Sequence, residues 1–241
     1  MPRFHWWRTV FYLIPAISLY TLVLGALSIG SGLVGGDGRF AHRCARLWSR
    51  LILVTTGVRV SVSGLDRVAE GRPYLFISNH QSIYDIPILF WTLPFDARII
   101  AKDSLGRFPV LGWHLRRTGH VLVDRKKPGN AVFQQVSRVL ARGQSLLVFP
   151  EGTRSVDGRV GRFRGGIFLL AIQAGIEVAP VAVRGSRFVM RKGRLMTCPG
   201  HVSVEVFDPI STRGLTAHDA KALAEQVRDI VVRGVGDDAG A

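Results

Sequence analysis

The stretch Asn79-His80-Gln81-Ser82-Ile83-Tyr84-Asp85 sets an imidazole and a carboxylate five residues apart. A neutral imidazole near pH 7 takes a proton from an alcohol, and a carboxylate on its other nitrogen fixes the tautomer and stabilises the imidazolium that forms. Such a pair is a base with its orienter and has no nucleophile of its own. Along a continuous helix, residues five apart stand about 140° round the axis. His80 and Asp85 therefore meet only across a bend, which Gln81 and Ser82 permit. A plainer role for Asp85 is to cap a helix beginning Ile86-Pro87-Ile88-Leu89, proline being tolerated in a first turn. The two roles are compatible, and a lone histidine and aspartate at this spacing arise by chance, so the rest of the chain decides.

A second stretch, Phe149-Pro150-Glu151-Gly152-Thr153-Arg154-Ser155, follows the apolar run Leu146-Leu147-Val148. A turn there exposes backbone N–H groups, the Thr153 hydroxyl and the planar fork of Arg154, which together can hold a phosphate. Its plain alternative is a Pro-Glu-Gly turn with a solvated arginine. Lys102 and Arg125 end two further β-like runs, with Phe108-Pro109-Val110-Leu111-Gly112-Trp113 between them. A single cation at a strand end is more often simply solvated. Pro180, within Ala179-Pro180-Val181, predicts a bulge or an edge strand. Ser78, Ser82 or Ser104 beside His80 would suit a serine hydrolase, but the Gly-x-Ser-x-Gly elbow of the α/β-hydrolases is absent.

These residues must be carried by a framework, and the hydrophobic pattern supplies one. Tyr74-Leu75-Phe76-Ile77 is a short apolar run of the kind that forms a buried strand. His80 then stands where a strand leaves its sheet, the usual place for a site in an open α/β sheet. Further strands are expected over 58–62, 97–102, 119–125, 146–149, 178–183 and 201–207. They trade places with helices after Asp85, over 128–142 and 165–174, and with a closing amphipathic helix over 217–232. Gly143 and Gly175 stand where two of those helices should stop. This alternation predicts an α/β fold with a mixed, largely parallel sheet flanked by helices.

The chain of 241 residues is long enough for one full-sized core with an appended segment. The expected division is a membrane-associated helical segment over 1–57 and an α/β domain over 58–241. Net charge is +15, yet mean hydropathy is +0.22. Charge alone would suggest nucleic acid, but the apolar surplus sits in one block that such a partner would not use. A bilayer surface with anionic lipid suits both features. Residues 9–36 contain no charge, and about 20 such residues span a bilayer. A cleaved signal peptide would also place Arg3 and Arg8 before an apolar core, although this core is longer than usual for one. Arg39, Arg43, Arg46 and Arg50 follow the block, so positive charge on both flanks leaves orientation open. The anchor is either a single span or a helical hairpin with its second limb over 40–54. In that limb Ala41, Cys44, Leu47, Trp48 and Leu51 recur at helical spacing. Trp6 and Trp7 would lie at the interface with the arginines. Cys44 and Cys198 lie far apart without paired spacing, so reduced thiols and no structural metal are expected.

Together the motifs resemble those of the glycerophospholipid acyltransferases, closest to the 1-acylglycerol-3-phosphate type. His80 to Asp85 looks like their His-x4-Asp block, and Lys102 to Arg125 with Pro109 and Gly112 looks like their second. Phe149 to Arg154 looks like their Phe-Pro-Glu-Gly-Thr-Arg block, and Val178-Ala179-Pro180-Val181 like their last. The match runs from about residue 58 to 207, and the Glu-Gly-Thr-Arg sequence beside an intact His-x4-Asp is its specific part. Asp103-Ser104-Leu105 interposes a serine in an acidic-Leu pair common in the family, a departure that bears on the acceptor more than on the reaction.

The resemblance implies that His80 deprotonates the hydroxyl of a lysophospholipid, which attacks the thioester of acyl-CoA or acyl-carrier protein while Asp85 orients the imidazole. Arg154, Thr153 and the Gly152 backbone would grip the acceptor phosphate, with Arg125 a further ligand. Glu151 would hold the loop or bind the glycerol, and Lys102 or a backbone N–H would stabilise the oxyanion. It implies no metal, no cofactor beyond the co-substrate, no nucleic-acid partner, and work in phospholipid biosynthesis; the hairpin form of the anchor would put Arg3 and the α/β domain together on the cytoplasmic face of the membrane. Other lysolipid or amino-acid lipid acceptors fit the same pattern. A non-catalytic lipid-binding protein fits the charge and the anchor, but gives no reason for the His80–Asp85 pair beside Glu151-Gly152-Thr153-Arg154.

Overall fold

The computed structural model describes residues 2–33, 39–107, 112–113, 115–116, 118–123 and 130–236. Its strands are β1 Val58–Ser63, β2 Leu75–Ser78, β3 Ala97–Lys102, β4 Val121–Val123, β5 Ser145–Val148, β6 Val178–Arg184 and β7 Gly200–Val206. They form one sheet in the order β1-β7-β6-β2-β5-β3-β4. Among the described residues only the β6–β7 strand pair is antiparallel, so the mixed, largely parallel sheet expected from the alternation is what forms. All four residues of β2 are buried, as a central parallel strand covered on both faces requires.

Successive β2 side chains face opposite sides of the sheet, and two cores result. Phe76 joins Tyr74, Ile88, Leu89, Val181 and Val183 on one face. Leu75 and Ile77 join Phe168, Val178, Val227 and Val231 on the other. The first face is covered by α3 Arg39–Thr56 and α4 Asp85–Thr92. The second is covered by α5 Asn130–Ala141, α6 Gly166–Ala174 and α8 Ala220–Val235. Helix α6 stops at Gly175, whose φ of +63° is the left-handed conformation expected of a helix-ending glycine.

Pro180 lies inside β6, between β2 and β7, which corrects the expectation of a bulge or an edge. The Phe207 N–H donates to Pro180 O at 3.0 Å, and the antiparallel ladder with β7 begins one residue later, at Val181↔Val206. The bond that Pro180 cannot donate thus falls where β7 has already ended, and the strand keeps its proline at no loss of pairing.

At the N-terminus α1 Pro2–Arg8, a π-helical turn at Thr9–Leu13 and α2 Ile14–Leu33 run on as helix. Within it, Arg3–Ser31 is long and apolar enough to cross a membrane. Helix α3 folds back along α2: Tyr20 Oη meets Thr55 Oγ1 at 3.1 Å and Trp48 Nε1 donates to Thr21 Oγ1 at 2.9 Å. The chain between the two helices, 34–38, lies outside the described residues. Arg46 and Arg50, on the basic flank of the apolar block, set their guanidinium carbons 5.7 and 5.5 Å from the Trp91 ring centroid. Arg46 also donates to Trp91 O at 3.2 Å, near the carbonyl end of α4, where a cation is favoured. Ile52 and Leu53, each 4% exposed, belong to the same core as β2 and α4. Arg8 donates to Thr56 O at 2.9 Å, and the Thr197 N–H donates to Thr9 Oγ1 at 2.9 Å, which ties the first turns to the sheet domain.

Candidate active site

Strands β2 and β5 run parallel and side by side, with Ile77 opposite Val148. Three residues further along each, the same register sets His80 against Glu151. The His80 N–H donates to Glu151 Oε1 at 2.8 Å, and the Gly161 N–H donates to Glu151 Oε2 at 2.8 Å. A Cβ on Gly161 would stand 2.9 Å from that oxygen, so only glycine leaves the carboxylate its place. Burial pushes the Glu151 carboxyl above its ordinary value, opposed by the N–H groups of Gly161 and His80 that favour the charged form.

Beyond β2 the chain leaves the sheet as an irregular bend and re-enters helix at Asp85. His80 Nδ1 lies 2.8 Å from Asp85 Oδ2. The same oxygen accepts from the Gln81 N–H at 2.7 Å and the Ser82 N–H at 2.9 Å, and Asp85 is wholly buried. The capping role considered for Asp85 is corrected: it is the first residue of α4, and its carboxylate points back to close the preceding turn. A carboxylate at Nδ1 requires the proton on that nitrogen, which leaves Nε2 as the basic atom. The Phe149 ring stacks on the imidazole with centroids 4.2 Å apart and planes 20° from parallel. Asn79 fixes the root of the bend by exchanging two 2.8 Å bonds with the backbone of Val183 on β6.

The turn after β5 abuts this bend. The Ser155 N–H donates to His80 O at 2.7 Å, and Gln81 Nε2 donates to Gly158 O at 2.7 Å. Gly152 has a φ of +72°, and its N–H is bonded to Phe149 O at 3.1 Å. That corrects the role expected of its backbone: the N–H closes the turn instead of facing a phosphate, and Gly152 contributes conformation. Thr153 is exposed and Arg154 half-buried.

The bend and the turn thus bring His80, Asp85, Glu151, Gly152, Thr153 and Arg154 together. Lys102 ends β3, two strands from β2 on the same edge of the sheet, or about 9.6 Å at ordinary strand spacing. Arg125, with Pro109 and Asp124, lies outside the described residues. Sequence reasoning missed Lys192, whose Nζ donates to Thr153 Oγ1 at 3.0 Å and to Arg154 O at 2.8 Å. The basic run Arg191-Lys192-Gly193-Arg194 was its one available signal.

On the α3–α4 side an apolar cavity of about 300 Å³ opens next to the bend. Leu24 of α2, Trp48 of α3, Phe90 of α4 and Ala101 of β3 are among the residues that wall it, and Ile83, between His80 and Asp85, lines it too.

The acyltransferase family model matches residues 59–184. The chain is 37% identical over 176 residues to 1-acyl-sn-glycerol-3-phosphate acyltransferase alpha of Mus musculus, covering 71% of this chain and 62% of that protein. It is 34% identical over 213 residues to the Homo sapiens protein of the same name, covering 87% and 75%. The match thus spans less than two-thirds of the mouse relative's length. Among solved structures, the crystal structure of the 1-acyl-sn-glycerophosphate (LPA) acyltransferase PlsC from Thermotoga maritima superposes with a TM-score of 0.85, covering 100% of this chain and 99% of that one. At 24% identity that likeness is one of fold.

Proposed function

The chain belongs to the acyltransferase family, and from that premise we propose that it moves a fatty acyl group from a thioester donor to the free hydroxyl of a lysophospholipid. The acceptor best supported is 1-acylglycerol-3-phosphate, which the named relatives act on, and the product is then phosphatidic acid. The observation that carries the reading is a juxtaposition: a His–Asp pair at a strand end shares Ile83 with a cavity of hydrocarbon character.

In the proposed reaction His80 Nε2 takes the proton of the acceptor hydroxyl as its oxygen attacks the thioester carbonyl. Asp85 holds the imidazole and balances its charge, and the Phe149 ring keeps its plane. The tetrahedral intermediate collapses with cleavage of the carbon–sulfur bond, and the proton passes from the imidazolium to the departing thiolate. Acyl transfer is direct, since acceptor and donor meet without an enzyme nucleophile. Glu151 positions His80 through its backbone, Thr153 and Arg154 face the acceptor phosphate, and Lys102 and Arg125 extend the positive field to the oxyanion and the phosphate. The cavity takes an acyl chain. The donor is acyl-CoA or acyl-carrier protein, and no step calls on a metal.

The helices α2 and α3 seat the domain on the cytoplasmic face of a membrane as a hairpin. In support, Trp7, Phe11, Leu19, Leu22 and Val23 are exposed apolar side chains at one end of a strongly basic molecule. Thiol release from acyl-CoA by the purified full chain, with and without lysophosphatidic acid, tests the function. Release that requires the acceptor is expected. Release without it would mark a thioesterase, and none with either would mark a binding protein.

A further inference from the structure

The turn at 152–154 is met by two cations from other parts of the chain. Lys192 follows α7 Ser186–Val189 by three residues and holds the turn through Thr153 Oγ1 and Arg154 O. Arg164 lays its guanidinium over Gly152, where an added Cβ would stand 3.1 Å from Arg164 Cζ. Arg154 belongs to the turn itself, so three cationic residues meet at it, and the turn is bonded to His80 O through the Ser155 N–H. Among the described residues, no carboxylate lies within ion-pair distance of Lys192, Arg154 or Arg164. Like charges gathered at one turn repel, and an anion that joins them relieves the repulsion. An ammonium has three N–H donors, and the protein accepts two of those of Lys192. The segment is held in position: Ser82 Oγ, inside the His80–Asp85 bend, donates to Met190 O at 2.9 Å, and the Cys198 N–H donates to Val189 O at 2.8 Å.

We propose that Lys192 is a specificity-determining residue for the acceptor, selecting a phosphomonoester over an uncharged or zwitterionic head group. The proposal rests on the lysolipid acyltransfer reading above. A phosphomonoester carries between one and two negative charges at neutral pH, with its second ionisation at about pH 6. A phosphodiester carries one, and a monoacylglycerol none. Three cationic residues with no ion-pair partner among the described residues complement the first of these best. Phosphate also occurs in the donor's pantetheine arm and nucleotide, so the measurement must tell the two sources apart.

Initial rates are measured for the full chain, Lys192→Met and Lys192→Arg, titrating lysophosphatidic acid, monoacylglycerol and acyl-CoA in turn. Lys192→Met should raise KM for lysophosphatidic acid by about tenfold or more, the scale of one lost charge-assisted hydrogen bond. Its kcat and donor KM should hold, its rate with monoacylglycerol should match that of the wild type, and Lys192→Arg should recover most of the loss. KM of the wild type for lysophosphatidic acid should rise as pH falls through the phosphate's second ionisation, and less steeply in Lys192→Met. An unmoved acceptor KM would overturn the proposal. A rise in donor KM instead would assign Lys192 to the donor phosphates, and an equal fall in kcat with both acceptors would make it a brace for the turn. Either outcome refutes acceptor selection. Wild-type protein that acylates neither acceptor would defeat the acyltransfer reading itself, and the proposal with it.

Discussion

His80 is fixed from three sides, by Asp85 at Nδ1, the Phe149 ring across its face and Glu151 at its backbone N–H. His80→Ala should therefore lower transfer by about 10²–10⁴-fold, the usual worth of a general base, with melting temperature and membrane binding retained. Asp85→Asn should cost less. The amide oxygen can keep the Gln81 and Ser82 N–H bonds, and its NH₂ would take the place of Oδ1, which has no partner among the described residues. Glu151→Gln offers one acceptor where the carboxylate offers two, and should cost about 1–3 kcal/mol of stability and lower kcat. Its pH dependence has a definite sign. Burial raises the folded-state value of this carboxyl. Between the ordinary and the raised value the folded chain therefore holds a proton that the unfolded chain has released. Wild-type stability relative to Glu151→Gln should rise as pH is lowered through that interval and stay level above it, as melting curves would show. The His80–Asp85 pair was legible because both partners lie within one short stretch. The Glu151 clamp was not: its two donors are main-chain N–H groups 71 and 10 residues away, and main-chain donors leave no mark in a sequence.

The strands that hold the site were legible as apolar runs ended by glycine, proline or charge, and β2 and β5 fall where those runs lie. Pro180 misled because edge and interior strands differ in what faces the missing N–H, which depends on where β7 stops. The partner of the α3 arginines left no mark either, since Trp91 lies 45 and 41 residues on from Arg46 and Arg50. The cavity is a product of packing between α2, α3, α4 and β3 and had no signature of its own. It makes Ala101 a gauge: the side chain is 6% exposed and lines the hollow. Ala101→Leu should fill part of it without the overpacking strain of a dense core and shift preference toward shorter acyl chains, as competition between donors or acceptors of different length would reveal. Unchanged chain preference would remove the cavity from the substrate path.

For the molecule as a whole, the order β1-β7-β6-β2-β5-β3-β4 was beyond reach of pattern reading, because it depends on which strand each crossover returns beside. The α/β alternation and the apolar N-terminus were both visible. Two truncations separate the roles of the N-terminal helices. Removing residues 1–33 should leave a folded domain that acts on a short-chain, soluble acceptor but poorly on a bilayer-embedded one. Removing residues 1–57 also takes Ile52 and Leu53 from the core, and should cost about 3–6 kcal/mol from two buried aliphatic side chains. Thermal melts of the two products would separate these outcomes, and equal stability would mean that α3 is dispensable to the core.

Because α2 and α3 wall the cavity jointly with α4, which begins at Asp85, the hollow is bounded on one side by the helices proposed to lie in lipid. A fatty chain sliding sideways from bilayer to hollow exchanges one hydrocarbon surrounding for another and avoids water, exposure to which costs about 0.8 kcal/mol per CH₂. The relevant concentration for such an enzyme is then two-dimensional. At fixed bulk acceptor, added inert phospholipid should slow turnover by thinning the acceptor within the leaflet, and the rate should follow its mole fraction in the surface.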